Sequence, residues 1–154
     1  MMEKELIGRI EEIVGRENTF ADRETRVCYS YDATNIKYLP DLVAYPTTAK
    51  QISDIMKMAN AARFPVIPRG AGTGFTGGTI PVEGGVVLVL TKMNRILEID
   101  PENLLAIVEP GVVTIDLQKE VEKIGLFYPP DPASLKTSTL GGNVAECAGG
   151  MRAV

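Results

Sequence analysis

PRGAGTGFTGG, residues 68–78, decides how the rest of the chain is read. Five glycines, two threonines and one arginine follow directly on a short apolar run of strand character. Glycine lacks Cβ, so it tolerates positive φ and lets the backbone approach a ligand closely, and consecutive N–H groups can converge on one anion. A phosphate-bearing ligand is the expectation. An ordinary flexible glycine loop is the alternative that this segment alone leaves open.

Local context separates the phosphate-binding readings. Gly72, Gly74 and Gly77 satisfy the G-x-G-x-x-G spacing of a dinucleotide fingerprint, which seats a pyrophosphate at the start of a helix. Here Thr79 to Gly85 reads TIPVEGG, in which Pro81 and the Gly84-Gly85 pair break helical hydrogen bonding, and Val86 to Leu90 is a β-type run. Gly72 and Gly77 also have the outer spacing of a P-loop, but Gly78 stands where the phosphate-binding lysine is required. What survives is a loop between two strands whose N–H groups, with Arg69, Thr73 and Thr76, hold a diphosphate.

Composition narrows the class. With 154 residues, 45% hydrophobic and 23% charged, the chain reads as a soluble globular unit of one domain at most. A net charge of −4 with mixed signs and no cluster of Lys and Arg argues against nucleic acid as a partner. MMEKELIGRIEE at the N-terminus lacks the apolar core of a signal peptide, and no segment has the length of a membrane span, so a cytoplasmic location is expected. Histidine is absent, which removes Ser-His-Asp, Cys-His and nearly every zinc arrangement. Cys28 and Cys147 form no C-x-x-C pair and read as reduced, partly buried thiols; no metal site is expected.

Helix and strand alternate around the loop. Leu6, Ile7, Ile10, Ile13 and Val14 recur at helical spacing up to Gly15. Thr48 and Gln51 have capping-box spacing ahead of an apolar stripe of Ile52, Ile55, Met56, Ala59 and Ala62, and the methionines of this helix are expected to fill core. Leu42 to Tyr45 and Pro65 to Ile67 flank that helix as strands, for which a right-handed parallel crossover is expected. Beyond the loop, Ile96 to Ile99 and Leu105 to Val108 predict a hairpin across Asp100-Pro101-Glu102-Asn103. Leu117, Val121 and Ile124 predict a short helix opened by Thr114 and closed by Gly125.

A second constellation, PPDPASLKTSTLGGNVAECAGG, spans residues 129–150. Pro129, Pro130 and Pro132 hold the chain extended; Thr137, Ser138 and Thr139 supply hydroxyls; Gly141, Gly142, Gly149 and Gly150 permit close backbone approach. It reads either as a second ligand wall or as a proline-rich connection followed by a small-residue helix.

Taken together, the two motifs resemble the flavin-binding half of the vanillyl-alcohol-oxidase-type, or PCMH-type, FAD proteins. Within that family they are most similar to the branch of the glycolate oxidase catalytic subunit and the D-lactate and D-2-hydroxyglutarate dehydrogenases. The resemblance runs from about Thr19 to the last residue and includes DLVAYPTTAKQISDIMKMAN, VVLVLTKMNRILEID and VEPGV. It implies an α+β FAD domain of two subdomains, the first to about residue 100 and the second after it, behind an N-terminal helix in residues 1–18.

By position, the resemblance assigns the pyrophosphate to Arg69, Gly70, Ala71, Gly72, Thr73 and Gly74, with Thr76 and Gly77 close by. It places Pro132, Thr137, Ser138, Gly141, Gly142, Asn143, Ala145 and Gly149 along the flavin, its ribityl chain and the diphosphate. Lys136 reads as a solvated side chain. Family members that bond flavin covalently often use a histidine in the first loop, so non-covalent FAD is expected here. Cys147 stands where relatives usually carry Asn in the N-A-G-G segment.

The family's substrate-bearing cap domain, with its histidines and carboxylate-binding arginine, has no counterpart in this sequence. The chain therefore reads as a C-terminally truncated portion, inactive alone. For the complete enzyme the resemblance implies oxidation of a 2-hydroxy acid to a 2-oxo acid, oligomerisation, and electron transfer to a quinone, a cytochrome or an iron–sulfur partner subunit, with peripheral attachment to the inner membrane through such a partner. The competing expectations are a non-catalytic flavin-binding or assembly module, and a general nucleotide binder.

Overall fold

The computed structural model describes residues 2–152, so the last two residues of the predicted FAD-binding segment lie outside the described residues. Strands β1 (Thr19–Phe20), β2 (Leu42–Ala44), β3 (Val66–Arg69) and β4 (Val86–Val89) form one sheet in the order β1-β2-β4-β3. β4 runs parallel to both β2 and β3, and β1 closes the edge antiparallel to β2. Every residue of β2 and β4 is buried, as expected of parallel strands covered on both faces. The predicted strand–helix–strand unit is therefore parallel, but its two strands are not neighbours, because β4 inserts between them.

The period-2 alternation sorts the side chains of these strands into two cores. Leu42, Ala44, Val86 and Leu88 face helices α1 (Lys4–Val14) and α3 (Ala49–Ala62), where Ile10, Val14, Ile55 and Met58 complete one cluster. Val43, Val87 and Val89 face Phe20, Tyr29 and Tyr45 on the other side. α1 ends at Gly15, at φ 92°, and α3 is capped by Thr48, whose Oγ1 accepts from Gln51 N at 3.3 Å. The Gln51 side chain does not return to Thr48: its Oε1 accepts from Thr47 N at 2.8 Å, and its Nε2 donates to Ile13 O at 2.9 Å, tying α3 to the end of α1. The stripe of α3 differs from the expectation at two positions. Met58 is buried, whereas Met56 and Ala62 are exposed, because the packed face turns toward Ile55, Met58 and Ala59.

A short helix, α2 (Arg23–Cys28), is capped by Asp22, whose carboxylate lies below its usual range chiefly because it accepts the Thr25 N–H. Cys28 and Cys147 are both exposed, not partly buried as expected, since α2 buries none of its residues and Cys147 lies beyond the last helix at φ 50°.

The second unit is the hairpin of β5 (Ile96–Asp100) and β6 (Leu105–Val108), packed on α4 (Thr114–Glu122) and α5 (Leu140–Ala145) through Val112, Leu117, Val121 and Leu140. Asp100 Oδ1 accepts from the N–H groups of Glu102 and Asn103 and so shapes the hairpin turn. Thr114 is not the cap of α4 but its first residue, fully buried, with Val113 in the capping position. Ile124 follows the helix and is half exposed, outside the packed face. Gly111 crosses the first unit closely: its N–H donates to Met93 O at 2.7 Å, and a Cβ there would stand 2.3 Å from Leu90 O.

Candidate functional site

Residues 70–85 connect β3 to its parallel neighbour β4 without a helix, and they form one side of a cavity of about 260 Å³. The other side comes from Pro132 to Ala148. The two small-residue segments therefore share one cleft. They also touch: Thr76 Oγ1 donates to Glu146 Oε1 at 2.8 Å, and a Cβ on Gly70 would stand 2.2 Å from Thr139 Oγ1.

The first wall presents backbone donors. Among the described residues, none of the N–H groups from Ala71 to Gly77 has a hydrogen-bond partner within the chain, and the Gly78 N–H is taken by Thr76 Oγ1 at 3.3 Å. Gly72 and Gly77 sit at φ 72° and 78°. The space beside Gly74 is open to 4 Å. Beneath this wall Arg69 is 6% exposed, its Nη1 donating to Tyr31 O at 2.7 Å and its guanidinium lying 5.3 Å from the centre of the Tyr29 ring. Burial draws its pKa down from the ordinary value, while Tyr29 and Asp32 oppose that shift; a guanidinium stays protonated in proteins, and this one lies against Gly72 of the loop.

The second wall is organised by α5. Thr139 caps it by accepting from Gly142 N at 3.4 Å. Ser138 and Asn143 line the cavity, yet their side chains are engaged with Thr114: Ser138 Oγ lies 2.9 Å from Thr114 Oγ1, and Asn143 Nδ2 donates to the same oxygen at 2.6 Å. Gly141 lacks a Cβ for an internal reason, since one would stand 2.6 Å from Pro110.

Of the residues singled out in the sequence, Arg69, Gly70, Ala71, Gly72, Thr73, Gly74, Thr76, Pro132, Ser138, Gly141, Gly142, Asn143 and Ala145 all border this cavity. Gly77, Thr137 and Gly149 do not. Gly77 turns the loop, its carbonyl accepting from Ile80 N at 3.0 Å; Thr137 is exposed and donates to Ser134 O at 3.0 Å; Gly149 O accepts from Asp131 N at 2.7 Å. The cavity also includes Asp32, Thr79, Thr139 and Glu146. Thr139 carried a signal in its cap position, and Glu146 in its place within the second motif. Asp32 lies far from both motifs, and only the fold brings it in.

Comparison with known proteins agrees with this geometry. The profile of a family described as the FAD-binding domain matches residues 40–154, most of the chain and both walls. The chain belongs to the FAD-binding domain family. This FAD-binding domain is 48% identical over 153 residues to the glycolate oxidase subunit GlcD of Bacillus subtilis, a match covering 99% of the chain and 33% of that protein. It is 41% identical over 152 residues to a D-lactate dehydrogenase of Anaerostipes hadrus, covering 97% of the chain and 32% of the relative. In structure it resembles substrate-bound p-cresol methylhydroxylase, with a TM-score of 0.78 and 26% identity over 91% of this chain and 28% of that one. The fold is thus the α+β, PCMH-type one, and the chain spans about a third of the length of the curated relatives it matches.

The donor set suits the cofactor of the family. A run of unpaired N–H groups, open space at Gly74 and a buried cation beneath the loop are the chemistry that a diphosphate requires, since such groups make charge-assisted hydrogen bonds to phosphate oxygens.

Proposed function

We propose that this chain is the flavin-holding part of an FAD-dependent oxidoreductase that oxidises a 2-hydroxy acid of the glycolate or D-lactate kind to a 2-oxo acid. The observation that carries the reading is that the loop bearing the unpaired N–H groups of Ala71 to Gly77 shares one cleft with the α5 wall, with Ala71 to Gly74 and Thr76 lining it. The similarity to GlcD and to D-lactate dehydrogenase supports the substrate class.

The loop N–H groups hold the diphosphate, with Arg69 supplying positive charge from below and Thr73 and Thr76 supplying hydroxyls. The α5 wall, from Pro132 to Ala145, lies along the ribityl chain and the flavin. FAD, held non-covalently, supplies the hydride-accepting chemistry when bound, and the chain's own residues bind and orient it. Proton abstraction from the substrate is assigned to the part of the longer relatives that this chain does not span, and the 154 residues alone are expected to be inactive.

The same reading divides the chain near residue 100 into two flavin-clamping subdomains behind the N-terminal helix. It also places the complete protein in the cytoplasm as an oligomer that passes electrons to an acceptor subunit, an iron–sulfur one among the candidates. No helix among the described residues is long and apolar enough to cross a membrane. The test is the visible spectrum of the full-length protein with glycolate, D-lactate and D-2-hydroxyglutarate added in turn. Bleaching of the flavin bands by one of them is expected; a flavin-loaded protein that none of the three bleaches overturns the substrate class.

A further inference from the structure

Asp32 is 4% exposed and borders the cleft, from a part of the chain that belongs to neither wall. Its Oδ1 accepts two hydrogen bonds from Thr34, from the N–H at 2.9 Å and from Oγ1 at 2.6 Å. Its Oδ2 has no hydrogen-bond partner within the chain among the described residues. Among the described residues no fully enclosed side-chain oxygen lacks a partner, so Oδ2 is not sealed in the interior, and the cleft is the cavity that Asp32 borders.

The bend that carries Asp32 is fixed in place. Arg69 Nη1 holds Tyr31 O, Asn35 N donates to Asp32 O at 3.2 Å, and Tyr38 N donates to Ser30 O at 2.9 Å. A carboxylate there repels a phosphate and accepts from a hydroxyl or N–H. The amide cradle beside it has the opposite preference. The cleft thus offers donors to an anion and, next to them, an acceptor to a neutral hydroxyl-bearing group.

We propose that Asp32 forms a third wall of the cofactor site and accepts a hydrogen bond from a hydroxyl of the FAD sugar chain adjoining the diphosphate. The inference rests on the FAD reading above. Both the ribityl chain and the adenosine ribose carry such hydroxyls, and the ligands compared below distinguish them.

The test is Asp32→Asn in the full-length protein, stripped of flavin and titrated with FAD, FMN, riboflavin and ADP-ribose. Asn keeps an oxygen for Thr34 and replaces the outward acceptor with a donor. FAD affinity should fall roughly tenfold to hundredfold, with an unchanged circular dichroism spectrum. A loss shared by riboflavin and FMN places the hydroxyl on the ribityl chain, and one shared by ADP-ribose places it on the ribose; either supports the proposal.

Unchanged affinity for all four ligands overturns it. Thr34→Ala loosens the same bend but leaves Oδ2 in place, so an equal loss in that variant assigns Asp32 a structural role and overturns the proposal as well; where Asp32→Asn fails to fold, Asp32→Ser is titrated in its place with the same supporting and overturning results. Wild-type protein that takes up no FAD at all overturns the FAD reading instead.

Discussion

Arg69 occupies the space that any side chain on residue 72 would need: a Cβ built on Gly72 stands 2.2 Å from Nη2 and 2.5 Å from Cζ of the guanidinium. The demand for glycine at this position comes from inside the protein as well as from the left-handed backbone, φ 72°. The guanidinium packs against the loop at Gly72 and is held there by its hydrogen bond to Tyr31 O.

Gly72→Val in the full-length protein is therefore expected to abolish flavin retention by displacing the loop. The backbone conformation alone costs about 1–2 kcal/mol for a residue with a Cβ, and the contact with Arg69 adds to it. Flavin absorbance per mole of purified protein and the melting temperature check this; a fully yellow variant with the parental melting temperature contradicts it.

The two walls are joined by Thr76 and Glu146, seventy positions apart in sequence. Removing either side chain should loosen the cleft, and a double-mutant cycle of Thr76→Ala with Glu146→Ala should give a coupling energy of about 0.5–1.5 kcal/mol. Strictly additive effects on denaturant stability would show that the contact contributes nothing.

Thr114 holds Ser138 and Asn143, so the second wall depends on a residue that borders neither motif. Thr114→Val preserves shape but strips the buried partners of their hydrogen bonds, and a loss of about 2–4 kcal/mol is expected from urea unfolding. Thr114→Ser, which keeps the hydroxyl, should recover most of it; equal losses in the two variants would refute the account.

Glu109 accepts from the backbone N–H and the guanidinium of Arg95, at 2.8 Å from N and 2.7 Å from Nη2. The side-chain hydrogen bond from Arg95 is the main cause that holds its carboxyl below the ordinary value. A carboxylate whose pKa is lower when folded stabilises the fold above its unfolded pKa and loses that contribution as the pH falls through the folded one. The stability difference between wild type and Glu109→Gln should thus be present at neutral pH and shrink on acidification below the ordinary carboxylate range. A difference independent of pH would exclude the mechanism.

The hairpin exposes Leu97, Leu105 and Ile107, with Glu98 and Asp100 paired across from Ile107 and Leu105. Exposed apolar side chains on a two-stranded sheet are expected to drive self-association of the isolated chain, and Leu105→Lys should reduce it. Light scattering that reports a clean monomer before any substitution would dispose of this expectation.

Much of the architecture was legible because its signals are local. The glycines of residues 68–78, the capping Thr48 and the apolar spacing of α1 each announce themselves within a few positions. What was not legible depends on partners distant in sequence. Met56 and Met58 are equally apolar, and only the direction of the sheet decides that Met58 is buried. Thr114 reads as a cap until Ser138 and Asn143, well over twenty positions away, claim its hydroxyl. Gly141 and Gly72 look alike in sequence, yet Pro110 fills the space at one and Arg69 the space at the other. Asp32 enters the cleft through Arg69 and the Tyr31 carbonyl, a connection that no periodicity encodes.

The β3–β4 connection has a further consequence. Two adjacent parallel strands are ordinarily braced by an intervening helix, and here the brace is missing. If the cofactor binds residues 70–85 as proposed, it stands in for that brace, and loading and folding become linked equilibria: the sheet should breathe most at its β3 margin when the cofactor is stripped, and amide exchange there should slow as cofactor concentration rises.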